Sequence, residues 1–122
     1  MSTNVAILGA SDNPDRYAFL AQERLLSANY TVFPIHPKIE SILGVNCLKN
    51  LSDLDSNSIH TLTLYVRAEI SSSVQEQIFA LHPQRVIFNP GTENPALQSA
   101  LEERGIQTLE ACTLVMLAAN NF

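Results

Sequence analysis

Two short segments carry the residue types that hold phosphates. The first is Gly9-Ala10-Ser11-Asp12-Asn13-Pro14-Asp15-Arg16. A glycine with no side chain lets an anion approach the backbone, the Ser11 hydroxyl adds a donor, and Arg16 brings a full positive charge. An apolar run precedes the segment and a helical pattern follows it. Unpaired N–H groups and the positive end of the helix dipole would therefore converge on the same spot. The plainer reading is that Gly9 only makes a tight turn and that Asp12 or Asn13 caps the helix. The second segment is His36-Pro37-Lys38. It stands where nucleotide-binding folds usually place the acidic residue that bonds a free ribose diol, and a cation there favours a ribose carrying its own phosphate. His36 reads more simply as a hydrogen-bonding spacer than as a catalyst.

These segments need strands to end on and helices to begin from. Val5-Ala6-Ile7-Leu8 is a continuous apolar run, as expected of a parallel strand covered on both faces. Ala18, Ala21, Leu25 and Ala28 then recur at helical spacing, with Asn29 as a stop. Thr31 to Ile35 makes a second strand. Ile42 to Leu48 predicts a short helical turn, a glycine break and a brief edge strand. Thr61 to Val66 is a strand, followed by one helix presenting Ile70, Val74, Ile78 and Leu81 on one face. Arg85 to Phe88 is the next strand. Asn94 fits a helix cap with Pro95 at the first helical position, and Gly105 fits the end of that helix. Ile106 to Leu109 gives a last strand and Cys112 to Ala119 a closing helix.

Strands alternating with helices along residues 1–122 predict a single α/β domain. It is a Rossmann-like, doubly wound parallel sheet in three layers, with strand order 3-2-1-4-5-6. In such sheets a ligand sits beyond the carboxyl ends of the strands, where the winding reverses. The loops to watch are then 9–16, 36–38, 65–69 and 89–94. The dinucleotide fingerprint GxGxxG is absent, because the glycine after Gly9 is Gly44. Coenzyme A, with a 3′-phosphate, and NADP, with a 2′-phosphate, both remain open on the residues alone.

A formal net charge of -5, with only 7 Lys and Arg among 122 residues, argues against a nucleic-acid partner. No apolar run approaches the roughly 18 to 20 residues that span a bilayer, and no leader pattern opens the chain, so a soluble cytoplasmic protein is expected. Cys47 and Cys112 lack CxxC or Cys/His spacing, so neither a disulfide nor a metal site is expected.

Taken together, Val5 to Arg16 with its Gly-x-Ser-Asp-Asn-Pro-Asp-Arg core, Val-x-Pro-x-x-Pro-Lys at Val32 to Lys38, and Ile42-Leu43-Gly44 with Cys47 resemble the small stand-alone CoA-binding domain proteins. These are similar to the nucleotide-binding domain of succinyl-CoA synthetase α subunits and of ADP-forming acetyl-CoA synthetases. The resemblance covers nearly the whole chain. It implies coenzyme A or an acyl-CoA as ligand, with Gly9, Ala10, Ser11, Asn13 and Arg16 around the phosphates. His36, Pro37 and Lys38 would lie near the adenosine and its 3′-phosphate. Tyr65 would stack on the nucleotide or belong to the core, and Arg67 would flank it or lie in solvent. Asn89 and Gly91 would stand in a loop passed by the pantetheine arm.

Binding without turnover is the expectation, against two alternatives: an NADP- or other nucleotide-dependent enzyme, and an interaction module that has lost its ligand. No Ser-His-Asp order or paired carboxylates can be drawn from His36, His60 and His82, and the domains that do chemistry in the synthetases have no room here. Cys112 at a helix opening could be a reactive thiol or a buried structural one. The apolar run Thr113 to Leu117 departs from the family pattern, and its helix offers a face for a second copy or another partner. Replacing Gly9 by valine is expected to block ligand and spare the fold.

Overall fold

The computed structural model describes residues 3–122. The chain starts with β1 (Asn4–Leu8), turns at Gly9 and enters α1 (Tyr17–Ser27) before β2 (Thr31–Ile35). Asn29 takes φ of 68°, the left-handed conformation in which asparagine ends helices. A two-residue hairpin follows, β3 (Ser41–Ile42) and β4 (Val45–Asn46), and then a 3₁₀ turn at Leu51–Asp53. Next come β5 (Thr61–Leu64), α2 (Ala68–Ser73), α3 (Gln75–Leu81) and β6 (Arg85–Phe88). The chain closes with α4 (Pro95–Glu103), β7 (Gln107–Glu110) and α5 (Thr113–Ala118).

The main sheet is wholly parallel, in the order β2-β1-β5-β6-β7. The winding reverses at β1, whose Leu8 lies opposite Ile35 on one side and Leu64 on the other. Side chains alternate along β1. Ala6 and Leu8 pack with Ile78, Leu81, Leu97 and Leu101, the layer of α3 and α4. Val5 and Ile7 pack with Ala18 and Leu25 of α1, against which Leu117 of α5 also rests. Both faces are covered, so the strand had to be apolar at every position. The expected three-layer architecture is what the chain adopts.

Three local expectations are corrected. The segment 42–48 holds no helical turn. Leu43 and Gly44 both take positive φ, 52° and 77°, which closes a tight hairpin between Ile42 and Val45. Nor does the expected third strand join the sheet as a strand. It touches the edge through a single bridge, Ile35 to Leu48, in which Leu48 N–H donates to Pro34 and His36 N–H donates to Leu48. Pro34 in β2 has no N–H to extend that ladder.

The predicted single helix over 70–81 is two helices broken at Val74, which sits at φ -114° and ψ 15°. The run Ser71-Ser72-Ser73 is the reason. Ser71 and Ser73 turn their hydroxyls back onto the carbonyls of Ala68 and Ile70, at 3.2 and 2.6 Å, and serine favours helix ends over helix interiors. Ile70 is therefore 40% exposed and not part of the core. The cap signals of α4 hold: Asn94 Oδ1 accepts from Leu97 N–H at 3.2 Å, and Pro95 is the first helical residue.

Candidate functional site

At the carboxyl end of the sheet lie two adjoining pockets, of about 530 and 400 Å³, that share Gly9 and His36 as walls. The first is built on the β1–α1 turn and bounded by Ser11, Arg16, Tyr17, Ala18 and Tyr65. Gly9 is held at φ 87°. A Cβ there would lie 2.7 Å from Val66 Cγ1 and 2.8 Å from the Tyr65 carbonyl oxygen. The glycine is thus required first by the packing of this turn onto the loop after β5. A valine would disturb the turn itself, against the expectation of a fold-neutral change.

The backbone donors of the turn are unequally used. The N–H groups of Gly9 and Ala10 both donate to the Ile35 carbonyl, at 3.3 and 3.2 Å, and tie the turn to β2. Asn13 N–H donates to Ser11 Oγ and Asp15 N–H donates to Asn13 Oδ1, so these side chains shape the loop. Neither caps α1; its N-cap position is Arg16, with no side-chain hydrogen bond to the helix amides. The amides of Ser11, Tyr17 and Ala18 consequently donate to no protein acceptor among the described residues, and all three residues line the pocket. These open amides stand at the start of an 11-residue helix, beside an Arg16 guanidinium that makes no ion pair among the described residues. Asp15 also lines the pocket and tempers its charge.

His36 divides the two pockets. Its Nδ1 accepts from the N–H groups of Lys38 and Ile39, at 3.0 and 3.1 Å. The proton of the neutral ring is then on Nε2, which leaves a donor as its free polar group. The loop spacer expected from the sequence is also a wall of both pockets. Pro37 lines the second pocket, whereas Lys38 is exposed at the loop tip and lines neither.

Apolar side chains dominate the second pocket: Leu8, Ile35, Leu51, Val66, Ile70 and Val74. Lys49, Asn50 and Gln77 complete its rim. Of these, none was named as a site residue by sequence reasoning, which took Ile70 and Val74 for a core-facing helix stripe. The break at Val74 brings Ile70 and Val74 here, and the Leu48 bridge brings Lys49.

Tyr65 contributes its ring to the first pocket, while its hydroxyl is buried beside Thr113 and Thr63 without a hydrogen bond of ordinary geometry. Burial pushes the phenol up to about 12, with Thr113 drawing it slightly back. Burial also raises the Cys47 thiol, helped by the nearby Asp12 carboxylate, and keeps it protonated. Cys112 is a half-buried free thiol. Arg67 is exposed and paired with Glu69 at 3.4 Å, outside both pockets.

The loop after β6 is used differently. Asn89 is 2% exposed and donates through Nδ2 to Thr63 Oγ1 and the Leu64 carbonyl, at 2.7 and 2.8 Å. Its Oδ1 accepts from Thr113 N–H at 2.9 Å, capping α5, and its carbonyl accepts from Thr92. Gly91 N–H donates to the Glu93 carboxylate. Neither Asn89 nor Gly91 reaches either pocket. Among the described residues no helix is long and apolar enough to cross a membrane, and no three His, Cys, Asp or Glu side chains gather as a metal site.

Known proteins resemble this chain in fold or in sequence. A solved crystal structure of an uncharacterized protein superposes with a TM-score of 0.93 at 39% identity, over 100% of this chain and 99% of that one. The uncharacterized protein YneT of Bacillus subtilis (strain 168) is 27% identical over 104 residues, 85% of this chain and 76% of that protein. Acetate–CoA ligase (ADP-forming) of Methanocaldococcus jannaschii is 32% identical over 54 residues, 44% of this chain but only 8% of the ligase. The family model described as a CoA binding domain matches residues 3–118, and with the switch-point pockets in view the chain belongs to that CoA-binding family.

Proposed function

We propose that this protein binds coenzyme A or an acyl-CoA without transforming it, holding the pyrophosphate at the opening of α1 and the adenosine in the apolar pocket. The observation that carries the reading is the set of three unpaired amides, Ser11, Tyr17 and Ala18, beside Arg16. An anion is the ligand such a cradle rewards, because each charge-assisted hydrogen bond contributes about 1.5 to 3 kcal/mol. The shared walls at Gly9 and His36 let one molecule occupy both pockets, and pockets of this size accept nucleotides.

The way the polar groups are employed supports binding without turnover. His36 offers a donor to a ligand oxygen, and with Nδ1 occupied it has no lone pair free to take a proton. Tyr65, held near 12, stays a neutral phenol. The similarity to a CoA ligase covers 44% of this chain and 8% of that enzyme, which supports a shared ligand more than a shared reaction.

Calorimetric titration of the purified chain with coenzyme A, NADP and NAD tests this. Coenzyme A is expected to bind at one site per chain, more tightly than either dinucleotide. Binding of NADP as tight as that of coenzyme A, or no binding of coenzyme A, would overturn the proposal.

A further inference from the structure

The second pocket has a rim charge that the loop at 36–38 does not supply. Its lining includes one cation, Lys49, and no carboxylate. Lys49 makes no ion pair with any described residue. The backbone on both sides of it is fixed. Leu48 is bonded in both directions to the end of β2, through Pro34 and His36, at 2.9 Å each. Asn50 N–H donates to Asp53 Oδ2 at 3.1 Å, closing the capping box of the 3₁₀ turn. Lys49 is thereby held on the lining of the same pocket as His36 and Pro37, and it is exposed to water. Lys38, by contrast, lines neither pocket, and its N–H is spent on the His36 ring.

An adenosine with its base in the second pocket and its diphosphate running past Gly9 to α1 must leave its ribose at the rim between them. Resting on the coenzyme A reading above, we infer that Lys49, and not Lys38, recognises a phosphate on that ribose and so selects 3′-phosphorylated over unphosphorylated adenosine ligands. A fixed backbone reduces the order that must be imposed on binding, and an ammonium with no competing carboxylate keeps its charge for the ligand.

The test is calorimetry of the full chain with coenzyme A and with dephospho-CoA, which lacks only the 3′-phosphate. The wild type is expected to prefer coenzyme A by about tenfold or more, the effect of one charge-assisted contact. In Lys49→Met the preference should collapse to below about threefold. Lys38→Met should retain the preference. Persistence of the preference in Lys49→Met, or its loss in Lys38→Met, would overturn the assignment to Lys49 while leaving coenzyme A as the ligand. A wild type that binds both ligands equally would do the same. Failure of the wild type to bind either would instead defeat the coenzyme A reading, and this inference with it.

Discussion

The loops after β1 and after β6 look alike in sequence. Each follows an apolar strand, contains asparagine, proline and glycine, and ends at a helix. In the structure they differ in where their hydrogen bonds go. The Asn89 loop spends its polar groups internally, on Thr63, Leu64, Thr92 and Thr113. The Gly9 loop fastens its first two amides to Ile35 and leaves those of Ser11, Tyr17 and Ala18 unmatched. A buried polar residue with every partner satisfied holds a fold together, whereas one leaving donors open at a helix N-terminus is prepared for something else.

The largest effect that would sharpen this contrast is on stability. Asn89→Ala removes the donor to Thr63 Oγ1 and the Leu64 carbonyl and leaves Thr113 N–H without its acceptor in the interior. It should cost on the order of 3 kcal/mol in denaturant unfolding, with coenzyme A affinity little changed in the folded fraction. Full stability together with lost binding would show that Asn89 had been assigned to the wrong side of the comparison.

A smaller effect is expected at Tyr65, which spans the two regions with its ring in the pocket and its hydroxyl in the buried polar cluster. Its raised proton affinity means that the unfolded chain gives up this proton first, near pH 10, and the folded chain only near 12. The unfolded state then binds fewer protons in that interval, and stability falls with rising pH. Measured against Tyr65→Phe, the wild type should lose on the order of 2 kcal/mol more between about pH 10 and 12, and nothing below. Parallel stability curves across that interval would refute the burial of this hydroxyl.

Much of the architecture was readable because its determinants are local. Val5 to Leu8 announces a doubly covered strand, and Asn94, Pro95 and Gly105 bracket α4. The turn between β1 and α1 was readable for the same reason, lying within eight consecutive residues. What escaped depends on distant neighbours. The role of Asn89 is set by residues 24 to 26 positions away. Lys49 enters the second pocket through the one bridge that Leu48 makes with Ile35. Ile70 looked like core by its spacing, and the serine run ahead of Val74 turned it toward the pocket. At Gly9 the sequence pointed to ligand approach, whereas the missing Cβ makes room for Val66 and the Tyr65 carbonyl.

The central claim concerns which amides are open, and amide-resolved NMR reads them directly. On titration with coenzyme A, the N–H resonances of Ser11, Tyr17 and Ala18 should show the largest shifts, while those of Gly9, Ala10 and Thr113, already bonded within the protein, should move little. Shifts concentrated in the loop after β6, with the α1 opening silent, would contradict the account.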